Sequence, residues 1–252
     1  MLGAGPEDPG PLDLDAINRH LEGADAEEIV RWAAETFGPQ LVTSSSFGAH
    51  SALMLHLVSR AAPGTPVIFV DTGYLFPETY QFAEALRERF DLRLEVYGAT
   101  MSPARQEALY GRLYDGDDAD LARYLKMNKV EPMDRALREL DARAWIAGLR
   151  AEQTDFRKSL RTVELQNGRY KVHPILRWTE QDVAEYFDLY DLPYHPLYAW
   201  GYRSIGDVHS TFPVDPNEAD ARAGRRLGEK RECGIHLPST PEENESRKSS
   251  GL

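Results

Sequence analysis

Residues 39–70 read PQLVTSSSFGAHSALMLHLVSRAAPGTPVIFV and decide the fold, because they contain a strand, a loop, a helix and a second strand in succession. The first strand candidate, LVTS, is short and apolar, and the second, PVIFV, is a β-branched apolar run. Between them, AHSALMLHLVSRA spaces its apolar residues along one helical face and ends at Pro63-Gly64. A strand, helix and strand in this order are typical of a parallel sheet.

The same alternation continues along the chain. LRLEVY at residues 92–97 and AWIAGL at residues 144–149 are further strand candidates. Asn167-Gly168 separates two alternating runs, which predicts a hairpin. Asp25 and Glu28 form the pattern of a capping box ahead of a helix. Further helices are expected at residues 77–90, 103–110, 117–127, 132–141 and 180–190.

The sequence therefore predicts an α/β fold, in which an open, mostly parallel twisted sheet has helices on both faces. We expect a nucleotide-binding α/β domain over residues 13–214. Residues 1–12 are rich in Pro, Gly and acidic residues and are expected to form a disordered leader. Residues 215–252 lack clear periodicity and are expected to form a mobile C-terminal tail.

Composition excludes several classes of protein. Hydrophobic content of 42% and charged content of 28% are ordinary for a globular chain. No apolar stretch approaches the roughly 18 residues that a membrane span needs, and the N-terminus lacks the pattern of a signal peptide, so we expect a cytoplasmic protein without a membrane partner. A net charge of −12 argues against nucleic acid as a partner.

Parallel sheets bind ligands at the carboxyl ends of their strands, so the loops there are the places to search. Ser44, Ser45, Ser46, Phe47 and Gly48 follow the first strand and precede a helix, which favours binding of a phosphate group. The loop lacks the lysine of a Walker motif. The alternative is an ordinary serine cap and turn.

A second loop follows the second strand candidate. Asp71, Thr72 and Gly73 could contact a ribose or a base edge. The alternative is a turn in which Asp71 caps the next helix.

Two basic clusters add to these loops. Arg150, Arg157, Lys158 and Arg161 follow the fourth strand candidate within twelve residues. Residues 222–231 hold five basic residues and one acidic residue. Both clusters could be solvated surface, but in an acidic protein they also suit the capture of a polyanion, since arginine binds phosphate and sulfate through two parallel hydrogen bonds.

The single cysteine, Cys233, comes directly after the second basic cluster. Nearby cations lower the pKa of a thiol and so favour the reactive thiolate. A lone cysteine is often a small core residue, but the flanks KRE and GIH make burial less favourable here. One cysteine cannot form an internal disulfide or supply a cysteine-based metal site, so the sequence favours a functional thiol.

Taken together, these segments resemble the assimilatory phosphoadenylyl-sulfate (PAPS) reductase family. The resemblance covers residues 25–236 and rests on the motifs SSSFG, DTGYLFPETY, NKVEPMDRAL, GLRAEQ, YHPL, GYRSIGDVHST and KRECGIH. It implies an adenine-nucleotide α-hydrolase-like fold related to the ATP pyrophosphatases. It also implies reduction of PAPS to sulfite and adenosine 3′,5′-bisphosphate by thioredoxin, or by glutaredoxin, in a homodimeric enzyme.

The resemblance also assigns roles to residues. Cys233 would attack the sulfonyl sulfur and become an S-sulfocysteine. The loop of Ser44 to Gly48 would lie against the phosphates, and the loop of Asp71 to Gly73 would contact the nucleoside. The basic contacts would be Lys129, Arg150, Arg222 and Arg225, with Arg157 from the first basic cluster and His236 after the nucleophile as further candidates.

One branch of the family reduces adenylyl sulfate (APS) and holds a [4Fe–4S] cluster on four cysteines. The motifs align those cysteines with Tyr124, Leu125, Asp207 and Ser210, which cannot bind iron as thiolates, so we expect no cluster and no other bound cofactor. Absence of the cluster goes with preference for PAPS in the family. With no second thiol to release the sulfonate, the reductant must be external.

Three alternatives stay open at this point. The first is a cluster-free APS reductase. The second is an adenylating enzyme such as the small subunit of sulfate adenylyltransferase, although such enzymes favour an SGG-x-DS loop. The third is a nucleotide-binding or redox-sensing module without catalytic activity.

Overall fold

The structure, a computed structural model, describes residues 12–215, 218, 220, 223–225 and 235. In this part of the chain six strands form one sheet in the order β3-β2-β1-β4-β6-β5. The strands are β1 Leu41–Ser44, β2 Val67–Asp71, β3 Leu94–Gly98, β4 Ala144–Ile146, β5 Val163–Gln166 and β6 Arg169–Val172. All neighbours pair in parallel except β5 with β6, so the predicted α/β class and mostly parallel sheet are confirmed.

The helices of the described residues lie close to the predicted ranges. They are α1 Leu14–His20, α2 Ala26–Phe37, α3 Ser51–Ala61, α4 Pro77–Arg89, α5 Pro103–Tyr110, α6 Asp118–Leu125, α7 Glu131–Glu139, α8 Asp155–Lys158 and α9 Glu180–Tyr190. None of these helices is long and apolar enough to cross a membrane.

Alternate strand residues face opposite sides of the sheet, which gives a core on each face. On one face Leu41, Val67 and Ile146 pack with residues of α2, α3, α4 and α9. On the other face Val42 and Trp145 pack with the apolar side of α7. Helices therefore cover both faces, as the sequence predicts.

The capping box and the hairpin turn that the sequence predicts are both present. Asp25 accepts a hydrogen bond from the Glu28 amide, and the Glu28 carboxylate accepts one from the Asp25 amide, which completes the capping box of α2. Asn167 and Gly168 take left-handed φ angles of 51° and 76°, as a tight hairpin between β5 and β6 requires.

Helix α1 is absent from the sequence-based prediction. It is short, and Asp13 caps it by accepting hydrogen bonds from the next amides. The Asn18 side chain bonds to both the amide and the carbonyl of Val163, so α1 covers the edge strand β5. This tertiary contact leaves no periodic signal in seven residues. The predicted leader lies outside the described residues except for Leu12, whose amide donates to the Tyr170 hydroxyl, and most of the predicted tail also lies outside them.

Helices α6 and α7 are continuous, whereas the sequence predicts a break between them. A π-helical turn, Lys126–Val130, joins the two helices. Pro132 has no amide to continue the regular hydrogen bonds, and the wider turn accommodates it. This turn carries Lys129.

The chain order places a crevice above the centre of the sheet. Starting from β1, the chain adds β2 and then β3 on one side of the sheet. Strand β4 then pairs with the other side of β1. The loops after β1 and β4 therefore diverge, which is the usual position of a ligand site in such sheets.

Buried histidines make the stability of this fold depend on pH. The Leu197 amide donates to Nδ1 of His195, so the Nε2–H of that ring donates to Thr79. Burial lowers the pKa of His195 to about 4, and burial also lowers the pKa of His56 and His173. The unfolded chain, with histidine pKa values near 6.5, therefore binds more protons than the folded chain below that pH.

We therefore expect the melting temperature to fall as the pH is lowered from about 6.5 towards 4. A His195→Gln variant should be less stable than the parent at neutral pH, yet lose less stability over this window. Thermal unfolding at several pH values checks this expectation. Parallel curves for parent and variant would show that His195 does not contribute to the pH dependence.

Candidate functional site

A cavity of about 330 Å³ opens at the carboxyl ends of β1, β2 and β4. This volume lies within the range of small-molecule sites. The cavity brings together most of the residues that the sequence predicts for binding. Those that line it are Ser44, Ser45, Ser46, Gly48, Thr72, Lys129, Arg150, Arg157 and Arg225.

The serine loop, Ser44 to Gly48, is held in a fixed turn by hydrogen bonds to its hydroxyl groups. The Ser44 hydroxyl accepts from Nε1 of Trp145 at 2.8 Å, and the Ser45 hydroxyl accepts from the Phe47 amide at 3.0 Å. Phe47 takes a left-handed φ of 47°, and its ring is fully buried against Phe69 rather than lining the cavity. Phe47 therefore anchors the loop, and α3 begins at the cavity wall, where its N-terminal dipole favours an anion.

Only Thr72 of the second predicted loop lines the cavity. The Asp71 carboxylate accepts from the Gly73 amide at 2.8 Å and from the Tyr80 hydroxyl at 2.7 Å, so it shapes the turn. Gly73 has a φ of 74°, and a Cβ there would lie 2.5 Å from Pro103. Asp71 and Gly73 thus belong to a turn, as the alternative interpretation has it, but Asp71 does not cap the next helix, whose N-cap is Phe76. Thr72 faces the site.

Lys129 is paired with a carboxylate that the sequence did not single out as functional. Its Nζ lies 2.6 Å from Oδ2 of Asp207, and both residues are buried and line the cavity. Oδ1 of Asp207 accepts from the Thr72 hydroxyl at 2.6 Å. Burial acts to raise the pKa of Asp207, but the charge of Lys129 and these hydrogen bonds hold it below its usual value.

The first basic cluster is divided by the fold. Arg150 and Arg157 are buried at the cavity wall, where Arg150 pairs with Glu152 and Glu180 and Arg157 contacts Gln153. Lys158 is exposed and pairs with Asp155. Arg161 also lies at the surface and pairs with Asp15 of α1. Lys158 and Arg161 therefore fit the alternative of solvated surface, whereas Arg150 and Arg157 line the cavity.

The guanidinium of Arg225 lies against Gly206 at the cavity wall. A Cβ at Gly206 would lie 2.4 Å from the Arg225 guanidinium, so a larger residue there would displace this group. A short antiparallel bridge between Thr211 and Arg225 fixes the backbone there.

Two further residues at the cavity were missed by the sequence analysis. Arg203 lies within GYRSIGDVHST, and His50 lies in the loop before α3. Burial lowers the pKa of His50 to about 4, with Glu180 opposing this shift and Arg150 and Arg203 adding to it, so the ring is neutral near pH 7. The place of Arg203 inside one of the quoted motifs was the signal that could have found it.

Three predicted site residues, Cys233, Arg222 and His236, lie outside the described residues. Ile235, which is described, lines the cavity and packs against the core cluster of Met133 and Trp145. The chain position two residues after Cys233 is therefore on the cavity wall.

The four positions aligned with cluster cysteines lie together and are buried. They hold Tyr124, Leu125, Asp207 and Ser210. The Tyr124 hydroxyl lies 3.0 Å from Nε2 of His209, and Asp207 is bound to Thr72 and Lys129. A phenol, an alkyl chain, a carboxylate and a hydroxyl do not form the four-thiolate donor set of an iron–sulfur cluster.

Comparison with known proteins identifies the family of this chain. The model of the phosphoadenosine phosphosulfate reductase domain matches residues 40–213. A phosphoadenosine 5′-phosphosulfate reductase from Synechocystis sp. is 52% identical over 242 residues, which cover 96% of this chain and 97% of the relative. One from Thiocapsa roseopersicina is 53% identical over 223 residues, covering 88% of this chain and 93% of the relative.

Solved structures with a similar fold include a PAPS reductase. The PAPS reductase from Candida auris, crystallised as a phosphate complex, superposes with a TM-score of 0.69 at 30% identity and covers 79% of this chain and 95% of its own. The FMN adenylyltransferase of Candida glabrata has a TM-score of 0.55 at 16% identity, covers 100% of this chain and 87% of its own, and shows similarity of fold alone. The chain belongs to the phosphoadenosine phosphosulfate reductase family of oxidoreductases.

Proposed function

We propose that this enzyme reduces PAPS to sulfite and adenosine 3′,5′-bisphosphate, with thioredoxin as the electron donor and an S-sulfocysteine on Cys233 as the intermediate. The observation that carries the proposal is the convergence of the serine loop, Lys129, Arg150 and Arg225 on one cavity, with Ile235 on its wall. Ile235 lies two positions after Cys233 in the sequence, which supports the assignment of this thiol to the reaction at the cavity.

The first step moves the sulfonate from the nucleotide to the enzyme. The Cys233 thiolate attacks the sulfonyl sulfur, an S–S bond forms, and the bond from sulfur to the phosphate oxygen breaks. Adenosine 3′,5′-bisphosphate leaves as an anion, so this step needs no strong general acid. The thiolate and the substrate are both negative, and the cations of the cavity offset their repulsion.

The second step releases sulfite. A thiolate of reduced thioredoxin attacks Sγ of Cys233, which frees sulfite and leaves a mixed disulfide. The second thiol of thioredoxin then breaks this disulfide and restores the Cys233 thiolate. Sulfur in the sulfonate accepts two electrons, and the dithiol supplies both, so no iron–sulfur cluster is needed for this sequence of steps.

Several expectations from the sequence stay predictions. They are the homodimer, the cytoplasmic location, the absence of a bound cofactor, and the roles of Arg222 and His236. Glutaredoxin is the alternative reductant. APS is the alternative substrate, and it lacks the 3′-phosphate of PAPS.

The substrate proposal has a direct test. Sulfite release should be measured with PAPS and with APS side by side, each with reduced thioredoxin and, in a second series, with reduced glutaredoxin. We expect PAPS to be the better substrate by kcat/KM, because the cavity offers more cations than one phosphosulfate group requires. Preferential turnover of APS would make the enzyme a cluster-free APS reductase, and nucleotide binding without sulfite release would support a non-catalytic role.

A further inference from the structure

Asp207 joins three separate segments of the chain at the cavity wall. Its carboxylate accepts from the Thr72 hydroxyl, in the loop after β2, at 2.6 Å. The same carboxylate lies 2.6 Å from Nζ of Lys129, in the π-helical turn. Asp207 also forms a backbone bridge with Leu75, and the next amide, that of Val208, donates to the Tyr74 carbonyl.

This carboxylate is 0% exposed, which requires an explanation. A buried charge is costly unless it is paired and hydrogen-bonded, and an apolar group of similar size often replaces such a pair without loss of stability. Stability alone therefore does not account for a buried aspartate at this position. Its location beside Lys129 at the cavity wall points to a role in the site.

Lys129 is the partner through which such a role would act. A lysine side chain has a flexible four-carbon stem and three N–H donors on Nζ. The pairing with Asp207 engages one side of the ammonium group and fixes its location. The other donors remain for an anion in the cavity, which Lys129 lines.

We infer that Asp207 is a positioning residue for the proposed reaction, which holds the Lys129 ammonium group at the cavity wall so that it meets the anionic phosphosulfate. This inference rests on the proposed function. Asp207 acts through Lys129 and not on the substrate, because a free carboxylate would repel a polyanion. The bond from Thr72 holds the carboxylate itself in place.

Aromatic side chains lie around this buried pair. Tyr124 lies nearby and is almost completely buried. Burial, together with the Asp207 carboxylate, raises the pKa of Tyr124, so its hydroxyl remains protonated. His209 stacks on Tyr114 with ring centroids 3.9 Å apart. The rings of Tyr74, Tyr114, Tyr124 and His209 form one aromatic cluster. An ion pair in such surroundings is screened little by solvent.

A double-mutant cycle tests the inference. The variants are Asp207→Asn, Lys129→Gln and the two combined. The measurements are the single-turnover rate of Cys233 sulfonation by PAPS without reductant, the Kd for adenosine 3′,5′-bisphosphate, and the melting temperature. We expect Asp207→Asn to slow sulfonation on the order of 10²-fold. In the Lys129→Gln background, the same change should produce no further loss.

The matched control is Glu107→Gln. The Glu107 carboxylate accepts from the hydroxyls of Tyr74 and Tyr114 in the same aromatic cluster, but it does not line the cavity. This variant should keep the parent rate of sulfonation. If Asp207→Asn does not fold, Asp207→Glu replaces it in the cycle, since it keeps the charge while moving it by one methylene.

The outcomes distinguish the positioning role of Asp207 from the proposed reduction of PAPS. Losses in rate and affinity that multiply in the double variant, or a lowered melting temperature with an unchanged rate, would overturn the positioning role. If the parent enzyme is not sulfonated by PAPS, the proposed function fails. In that case the Kd for adenosine 3′,5′-bisphosphate, measured for the same variants, tests the positioning role of Asp207 by itself. Non-additive losses of affinity support this role, and additive losses reject it.

Discussion

Replacement of Cys233 by serine is expected to abolish sulfite release from PAPS, by at least about three orders of magnitude, while nucleotide binding is retained. The serine hydroxyl is a far weaker nucleophile at neutral pH, and its sulfate ester would not be released by a thiol. The measurement is thioredoxin-dependent sulfite release, with the Kd for adenosine 3′,5′-bisphosphate as the control for an intact site.

Alkylation offers a matched control on the parent protein. Because Cys233 is the only cysteine of the chain, a thiol reagent modifies one site and should reproduce the loss of activity. Bound nucleotide should slow this modification. Thioredoxin-dependent turnover by Cys233→Ser above the rate without enzyme would remove Cys233 from the reaction.

Replacement of Arg150 by methionine should weaken binding of adenosine 3′,5′-bisphosphate by roughly 30- to 4,000-fold. Arg150 is 4% exposed at the cavity wall and pairs with Glu152 and Glu180. Its removal takes away a charge-assisted donor and also leaves two carboxylates to repel the ligand. Loss of the protein partner of a buried charge pair with a ligand costs about 2–5 kcal/mol, and each 1.4 kcal/mol is tenfold in affinity.

Lys158→Met is the matched control for this experiment. Lys158 comes from the same basic cluster of the sequence, but it is exposed and pairs with Asp155 away from the cavity. This variant should bind the nucleotide about as tightly as the parent. Equal affinity of the Arg150 variant and the parent would contradict the site, and an equal loss in both variants would indicate a general effect of charge.

The fold could be predicted because its signals are local. Strands β1 and β2 are short apolar runs bounded by polar loops, and α3 between them has a regular apolar face. The hairpin of β5 and β6 follows from Asn167-Gly168. Helix α1 and the π-helical turn could not be predicted in this way, because they depend on contacts with Val163 and on the accommodation of Pro132.

The site was predicted in outline, since residues that follow parallel strands meet at one edge of the sheet. The serine loop, Thr72 and Arg150 all line the cavity as expected. The direction of individual side chains was not predictable. Lys158 is only one residue from Arg157 but points to solvent, and the partner of Lys129 lies 78 positions away at Asp207.

The most direct test of the account is the mass of the intact protein after mixing with PAPS in the absence of reductant. We expect the addition of one SO₃ group, located on Cys233 by peptide mapping and removed by reduced thioredoxin with release of an equal amount of sulfite. A protein of unchanged mass that binds the nucleotide, or one that becomes a disulfide-linked dimer through Cys233, would contradict the S-sulfocysteine mechanism.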